Sequence, residues 1–334
     1  MVLSFEFFLS LFFVFLSSFV LTYLVTPVLI RKITARCLTG RDMIKLMGKP
    51  VAEIGGIAPL LGISLGIIVA IFVSTYLGFF EFDLTILFAA FLTIFMVGFI
   101  GVIDDLIGWK KGIRQWQHAL FPLFAALPLM AIQAGTDFLV LPFIGPVSIG
   151  IFYSLLLVPL GITGASNAFN MLAGFNGLEA GLGIIIISTL SLIAFMTGYP
   201  EALIIGIAII AALLAFLRYN WFPAKVFGGD SLTLMIGAAI ATISIIGNME
   251  KVAITLIGLH WIELVFKGRY KFQTESFGIP QKNGTLKAPK KIGSFTHFLL
   301  SIHPMKEQQL VLVILGLQVI LSVVVLFLFF FALF

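Results

Sequence analysis

The side chains able to do chemistry fall in a few tight groups. Asp104 and Asp105 stand side by side in "GFIGVIDDLIGWKK", residues 98–111. Asn167, Asn170, Asn176 and Glu179 lie within "SNAFNMLAGFNGLEAG", 166–181, and Asp230 follows Gly228-Gly229 in "RYNWFPAKVFGGDSLTLMIG", 218–237. A further stretch, "RCLTGRDMIKLMGKPVAEIGGIAP", 36–59, holds Asp42 and a Glu53 that leads into Gly55-Gly56. These are hard oxygen donors with no His or Cys cluster among them: His118, His260, His297 and His303 are scattered and Cys37 is alone. Carboxylate and amide oxygens select Mg²⁺ or Mn²⁺ over zinc, and Mg²⁺ completes its octahedron with substrate phosphates and water. Ringed by Arg and Lys, such a set points to phosphate chemistry.

Each group also has a plainer reading. The Asp pair can simply mark a helix end. Adjacent helical residues diverge by about 100°, so one carboxylate would face a metal or substrate while the other supports it. Asp230 is a favoured helix N-cap, yet a cap leaves the Gly-Gly unexplained, and a helix N-terminus also attracts anions. Asn167 and Asn170 are one turn apart on one face. Polar side chains at membrane depth are costly unless buried or functional, with helix–helix glue as the alternative. The glycines around Asn176 read as a loop re-entering a helix.

The elements that must position these groups are membrane helices. Hydrophobic residues make up 60% of the 334 residues and charged residues 10%, against about 25% charged in a soluble domain. Such a chain cannot cover itself with a polar surface, so lipid is its main solvent. One cysteine excludes an intrachain disulfide framework. A span needs about 20 mostly apolar residues, and roughly ten windows qualify, near 4–30, 54–78, 86–103, 116–134, 147–166, 178–198, 202–218, 231–247, 252–266 and 308–334. Helix is required because the bilayer core offers the backbone no other hydrogen-bond partner. Of the 20 Lys and Arg, all but Lys251 fall in alternate loops, which the positive-inside rule makes cytoplasmic.

The expected fold is therefore all-α and polytopic, a single ten-span domain over 1–334 with both termini outside. Its cytoplasmic loops fall near 31–53, 104–115, 167–177, 219–230 and 267–307. The first segment lacks a basic leader and is followed by Arg31-Lys32, as a retained helix would be. The sequon at Asn283 lies on the cytoplasmic side and is read as unused. In the last loop "RYKFQTES" alternates like a strand and "KNGT" is a hairpin-type turn. Its basic residues suit a pyrophosphate or lipid headgroups, beside the plainer reading of a positive-inside loop. Nothing in the chain asks for nucleic acid. A transporter would place its polar groups near the midplane and show internal repeats, whereas these cluster on one face.

"GVIDD", "NAFNMLAGFNGLEAG" and "NWFPAKVFGGD", in this order and between these spans, resemble the polyprenyl-phosphate N-acetylhexosamine-1-phosphate transferases. The string around Asn176 is closer to the eukaryotic and archaeal dolichyl-phosphate N-acetylglucosamine-1-phosphate branch than to the bacterial phospho-MurNAc-pentapeptide translocases. The resemblance runs from about residue 38 to 300. It implies transfer of a HexNAc-1-phosphate, GlcNAc-1-phosphate in that branch, from a UDP-sugar to a polyprenyl or dolichyl phosphate in the bilayer, with Mg²⁺ or Mn²⁺ as cofactor and UMP released. That is the first membrane step toward a lipid-linked oligosaccharide for N-glycosylation; another UDP-HexNAc feeding a surface polymer is the alternative.

By position, the resemblance makes Asn170 and Asp230 metal ligands, with Asn167 in support, and places Asp104 and Asp105 near the metal and the lipid phosphate. Phe227 matches an aromatic that stacks on uracil. Asn176, Asp42 and Met43 fall where uridine is recognised, Glu53 near the nucleotide end of the pocket, and Arg269 on the pyrophosphate. The family's lysine after the Asp pair has no counterpart at the same spacing; Arg114 and His118 are the candidates, with Lys110 or Lys111 also open. Gly268 stands where the eukaryotic branch has a sugar-reading histidine. Direct attack by the lipid phosphate, with Asp104 orienting it and Asp105 supporting the metal shell, is the expected route, and a covalent aspartyl-phosphate at Asp104 the other. An archaeal plasma membrane fits the short loops better than an endoplasmic reticulum, and a homodimer is compatible.

Overall fold

The computed structural model describes residues 4–41, 50–111, 115–136, 138–141 and 145–331. Asp42, Met43 and Arg114 lie outside the described residues. The helices are α1 (Phe5–Ala35), α2 (Ile57–Phe72), α3 (Leu84–Lys111), α4 (Gln115–Ala125), α5 (Leu127–Ala131), α6 (Val158–Met171), α7 (Leu178–Thr197), α8 (Pro200–Asn220), α9 (Asp230–Ile246), α10 (Glu250–Leu256), α11 (Gly258–Gly268), α12 (Phe295–Ile302) and α13 (Glu307–Phe330). π-helical turns at Val73–Leu77 and Tyr153–Leu157 extend α2 and precede α6.

Six of these helical runs are long and apolar enough to cross a bilayer: Phe5–Ala35, Ile57–Leu77, Leu84–Ile107, Leu178–Thr197, Pro200–Asn220 and Glu307–Phe330. The protein is thus a polytopic membrane protein. The other apolar windows hold shorter or broken helices. Pro122 and Pro128 flank the break between α4 and α5 at Ala126, as expected where proline removes an N–H from the ladder. The window at 147–166 opens on a strand and a π turn before α6, and α10 and α11 part at Ile257.

α9 is the centre. Every residue from Ser231 to Ile246 is buried, as a helix apolar all round must be. α3, α6, α7 and α8 surround it; α1 packs on α2 and α8, and α2 also reaches α3 and α9. Ser10, Ser18, Thr22 and Thr26 form a buried four-residue stripe on α1. The Ser18 hydroxyl donates to the Ala208 carbonyl at 2.6 Å, so α1 lies close against α8 while Phe8, Phe12, Leu16 and Val20 face outward.

Three two-stranded antiparallel hairpins join the helices: β1 (Thr39–Arg41) with β2 (Pro50–Ala52), β3 (Phe138–Leu141) with β4 (Gly145–Ser148), and β5 (Ile279–Pro280) with β6 (Leu286–Lys287). Only the last matches the expected all-α chain with one hairpin in the final loop. Its turn is the one read from "KNGT": Asn283 Oδ1 accepts from the Thr285 N–H at 3.1 Å and hydroxyl at 2.7 Å. The strand expected over "RYKFQTES" is not there. α11 ends with the Lys271 N–H donating to the Gly268 carbonyl and the Phe272 N–H to the Lys267 carbonyl. Lys271 and Phe272 sit at φ 55° and 60°, and two left-handed residues in a row curl the chain where a strand would extend it.

The two ends of the bundle differ. At one, Lys32, Arg36, Arg218 and Lys267 close their helices and Lys306 opens α13. At the other the contacts are acidic, with Glu201 accepting from the Asp83 N–H at 2.6 Å and Glu250 from the Tyr153 hydroxyl.

Candidate active site

The basic end gathers most of the expected residues around the N-terminus of α9. α3 does not stop before the Asp pair but runs through it, so both carboxylates are helical. Asp105 reaches across and accepts from the backbone N–H of Asp230 at 2.8 Å and of Ser231 at 3.1 Å. It therefore caps α9 from another helix, satisfying donors that have no partner within their own first turn. Gly229, the residue before α9, lies at φ 72°, ψ −176°, a region essentially reserved for glycine. A Cβ there would come within 2.4 Å of the Asp105 carboxylate. Of the Gly-Gly left unexplained by a simple Asp230 cap, Gly229 is thus room for Asp105, while Gly228 lies against the Leu232 side chain. Asp104, the next residue back, is 6% exposed.

The loop between α1 and α2 is stitched to the segment before α9. The Phe227 N–H donates to the Ala52 carbonyl at 2.8 Å, and the Gly55 and Gly56 N–H groups donate to the Phe227 and Gly228 carbonyls at 2.9 Å each. At Gly56 a Cβ would lie 2.5 Å from the Leu232 nitrogen, so bare backbone is needed for α2 to begin this close to α9. The pairing brings Glu53 and Phe227 together. Burial holds the Glu53 carboxyl above the usual carboxylate range. Asn220, 2% exposed at the end of α8, donates through Nδ2 to the Val226 carbonyl at 2.9 Å, while its Oδ1 finds no partner among the described residues.

α6 delivers the amides. Asn170 Oδ1 accepts from the Thr233 hydroxyl at 3.0 Å, and Thr233 is one turn beyond Asp230, so one contact sets the α6 side chain against the start of α9. Asn167 is turned inward on its own helix, its Nδ2 donating to the Thr163 carbonyl at 2.8 Å. The loop 172–177 re-enters α7 as expected; Gly174 and Gly177 take φ 106° and 81°, and Glu179 accepts from the Gly174 N–H. Asn176 is 3% exposed, its N–H donating to Glu307 at the start of α13 at 2.8 Å. The final loop closes the far wall, with Phe277 and Phe175 ring centroids 6.0 Å apart.

Between them lies a cavity of about 300 Å³ lined by Glu53, Asn170, Glu179, Asn220, Phe227 and Asp230, with Gly228, Gly229, Thr233 and Phe277. Of the expected site residues, Glu53, Asn170, Phe227 and Asp230 share it, and Asp105 bonds the backbone of Asp230 from behind. Asn167 and Asn176 are engaged elsewhere, and Asp104 and the exposed Arg269 are not in the lining. His118 falls on α4. Thr233, Asn220 and Phe277 carry no signal of their own type in the sequence. Glu179 did stand in the polar string at 166–181. The Asn170 amide and the Asp230 carboxylate, both in the lining of this cavity, suit a cation that takes few protein ligands and keeps phosphate and water.

A family model described as glycosyl transferase family 4 matches residues 87–248. A Saccharolobus solfataricus protein provisionally described as a UDP-N-acetylglucosamine–dolichyl-phosphate N-acetylglucosaminephosphotransferase is 33% identical over 92% of this chain and 94% of its own. A Sulfolobus acidocaldarius protein of the same description is 34% identical over 92% of each chain. The phospho-N-acetylmuramoyl-pentapeptide-transferase of Limosilactobacillus reuteri is 32% identical over 76% of this chain and 80% of its own.

Proposed function

The chain belongs to glycosyl transferase family 4, and on that premise we propose that it transfers GlcNAc-1-phosphate from UDP-GlcNAc to a polyprenyl, dolichyl-type phosphate and releases UMP. The observation that carries the reading is the single cavity lined by Asn170, Asp230, Phe227 and Glu53, in a chain whose archaeal relatives match it nearly end to end.

The nucleophile is a phosphate oxygen of the lipid. A phosphate monoester has a second pKa of about 6, so it is mostly a dianion at neutral pH and little general-base help is required. A bond forms from that oxygen to the sugar-linked phosphorus, the bond from this phosphorus to the bridging oxygen breaks, and UMP leaves with the electron pair. The obstacle is bringing anion against anion, so positioning and electrostatics dominate. Asn170 and Asp230 are the residues that would hold Mg²⁺ or Mn²⁺, whose charge, when bound, offsets the repulsion. Asp105 keeps Asp230 in place through the backbone. Phe227 offers the uracil an aromatic face, Glu53 stands at the nucleoside end of the cavity, and Arg269 approaches the pyrophosphate from the last loop. Asp104 orients the lipid phosphate. A covalent aspartyl-phosphate at Asp104 is the alternative route.

The polyprenyl tail stays in lipid beside the cytoplasmic end of α3, where Ile103, Leu106 and Ile107 are exposed. Ten crossings follow if α4–α5, the π turn with α6, α9, and α10–α11 each count as one beside the six long helices. Both termini then lie outside, and the basic end with its cavity faces the cytoplasm of, by the relatives' source, an archaeal plasma membrane. A homodimer is compatible, since one chain supplies every residue named. The test is UDP-GlcNAc labelled separately in the sugar and in the sugar-linked phosphate. Both labels should enter the lipid fraction together; sugar without that phosphate overturns the reading.

A further inference from the structure

Glu263, on α11, is 0% exposed and lies outside the cavity lining. Its Oε1 accepts from the Ser276 hydroxyl at 3.1 Å, the Ser294 hydroxyl bridges both oxygens at 2.9 Å, and Oε2 accepts from the Phe295 N–H at 2.7 Å. Lys267, one turn on, sits 3.5 Å from Oε1 and donates through Nζ to the Met171 carbonyl at 2.6 Å. Met171 is the last residue of α6 and the neighbour of Asn170. Ser276 and Ser294 bracket the stretch that carries Phe277 to the cavity wall. A buried carboxylate in a membrane chain is costly unless paired and fully hydrogen-bonded, and this one is both.

The arrangement mirrors the one at α9. The negative C-terminal end of α6, which presents Asn170, is closed by a cation from α11, just as the positive N-terminal end of α9, which presents Asp230, is closed by Asp105 from α3. A cation at the C-terminal end of a helix stabilises it.

We propose that Glu263 is a positioning residue: through Lys267 it fixes the end of α6 and hence Asn170, and through Ser276 and Ser294 it lays the last cytoplasmic loop along the cavity. The inference concerns the site proposed above, and its test separates the two. In the full chain in detergent, Glu263→Gln removes the charge with little change of shape. Lys267→Met removes the short bond to α6, leaving the 3.4 Å contact of the Ser276 hydroxyl with the Met171 carbonyl and the other bonds of Glu263. Hydrogen exchange at 172–177 and 276–296 should quicken at least tenfold in Glu263→Gln, and at 172–177 in Lys267→Met, with α7 and α8 unchanged. The Mg²⁺ concentration for half-maximal UMP release should rise at least tenfold in both. The double variant should be no worse than the harsher single, and Lys267→Arg should recover the wild-type requirement. Unchanged exchange at 172–177 in both folded variants, exchange that quickens everywhere, or a wild-type Mg²⁺ requirement would overturn the proposal. A wild-type protein that releases no UMP would defeat the functional reading, and the exchange data would still decide the role of Glu263.

Discussion

Replacing Gly229 by alanine adds one methyl group and removes no functional group, yet it should disable the site. The residue lies at φ 72°, ψ −176°, where a side chain costs about 1–3 kcal/mol. Its new Cβ would stand 2.4 and 2.6 Å from the two Asp105 carboxylate oxygens, so that carboxylate must retreat from the N–H groups of Asp230 and Ser231. Losing one charge-assisted bond of this kind costs roughly 1.5–3 kcal/mol. Together the two effects come to about 2.5–6 kcal/mol. If half falls on the geometry of Asp230 in the transition state, turnover drops roughly 10- to 100-fold, at about 1.4 kcal/mol per decade. The assay is UMP release by purified protein, with thermal unfolding in detergent to count folded molecules. Gly78→Ala is the control. Gly78 is also left-handed, at φ 61°, but nothing lies within 4 Å of its Cβ position. It should lose about 1 kcal/mol of stability and keep its turnover. Gly229→Ala with turnover within twofold of wild type would refute the role given to Asp105 and its close approach to α9.

Asp230→Asn should abolish turnover while the protein stays monodisperse in detergent; near-normal rates would remove Asp230 from the metal site. Phe227→Leu should raise the KM for UDP-GlcNAc roughly 2- to 10-fold, the range an aromatic stack of about 0.5–1.5 kcal/mol allows, with kcat little changed. A pure kcat loss would argue against stacking. For Glu53, burial raises the carboxyl's pKa in the folded protein, so the native state binds the proton more tightly than the unfolded chain. Stability at this residue then falls as pH rises from about 4.3, the unfolded value, through the folded value, and stays low above it. Glu53→Gln should accordingly raise the melting temperature at pH 8 and leave it unchanged near pH 4. A gain of equal size at both would refute the assignment.

Hydropathy reveals the long helices because a bilayer leaves the backbone no alternative, and α1, α7, α8 and α13 lie close to their apolar windows. It says less about where a crossing breaks. The partings at Ala126 and Ile257 depend on prolines and local packing, which a window average smooths over. The alternation in "RYKFQTES" is real, but the C-terminal curl of α11 overrides it through two backbone bonds that only the folded end of that helix can make. Residue type and spacing singled out Asn170, Asp230 and Glu53, and the family resemblance added Phe227; all four line one cavity. It could not disclose that Asp105 caps α9, since that rests on a contact 125 residues apart in sequence. Thr233, Asn220, Phe277 and Glu263 stayed hidden for the same reason: each is ordinary by type and matters through the neighbour the fold supplies. Asn176 is the opposite case, conspicuous in the sequence and, once folded, bound to Glu307 outside the cavity lining.

The most direct measurement combines the purified chain, UDP-GlcNAc, a polyprenyl phosphate and Mg²⁺, and identifies the nucleotide released. Transfer of the sugar phosphate predicts UMP, formed only when lipid phosphate and divalent metal are both present and lost on chelation. UDP in its place would mean that the sugar moves alone, and would contradict the roles assigned to Asp104, Asp105, Asn170 and Asp230.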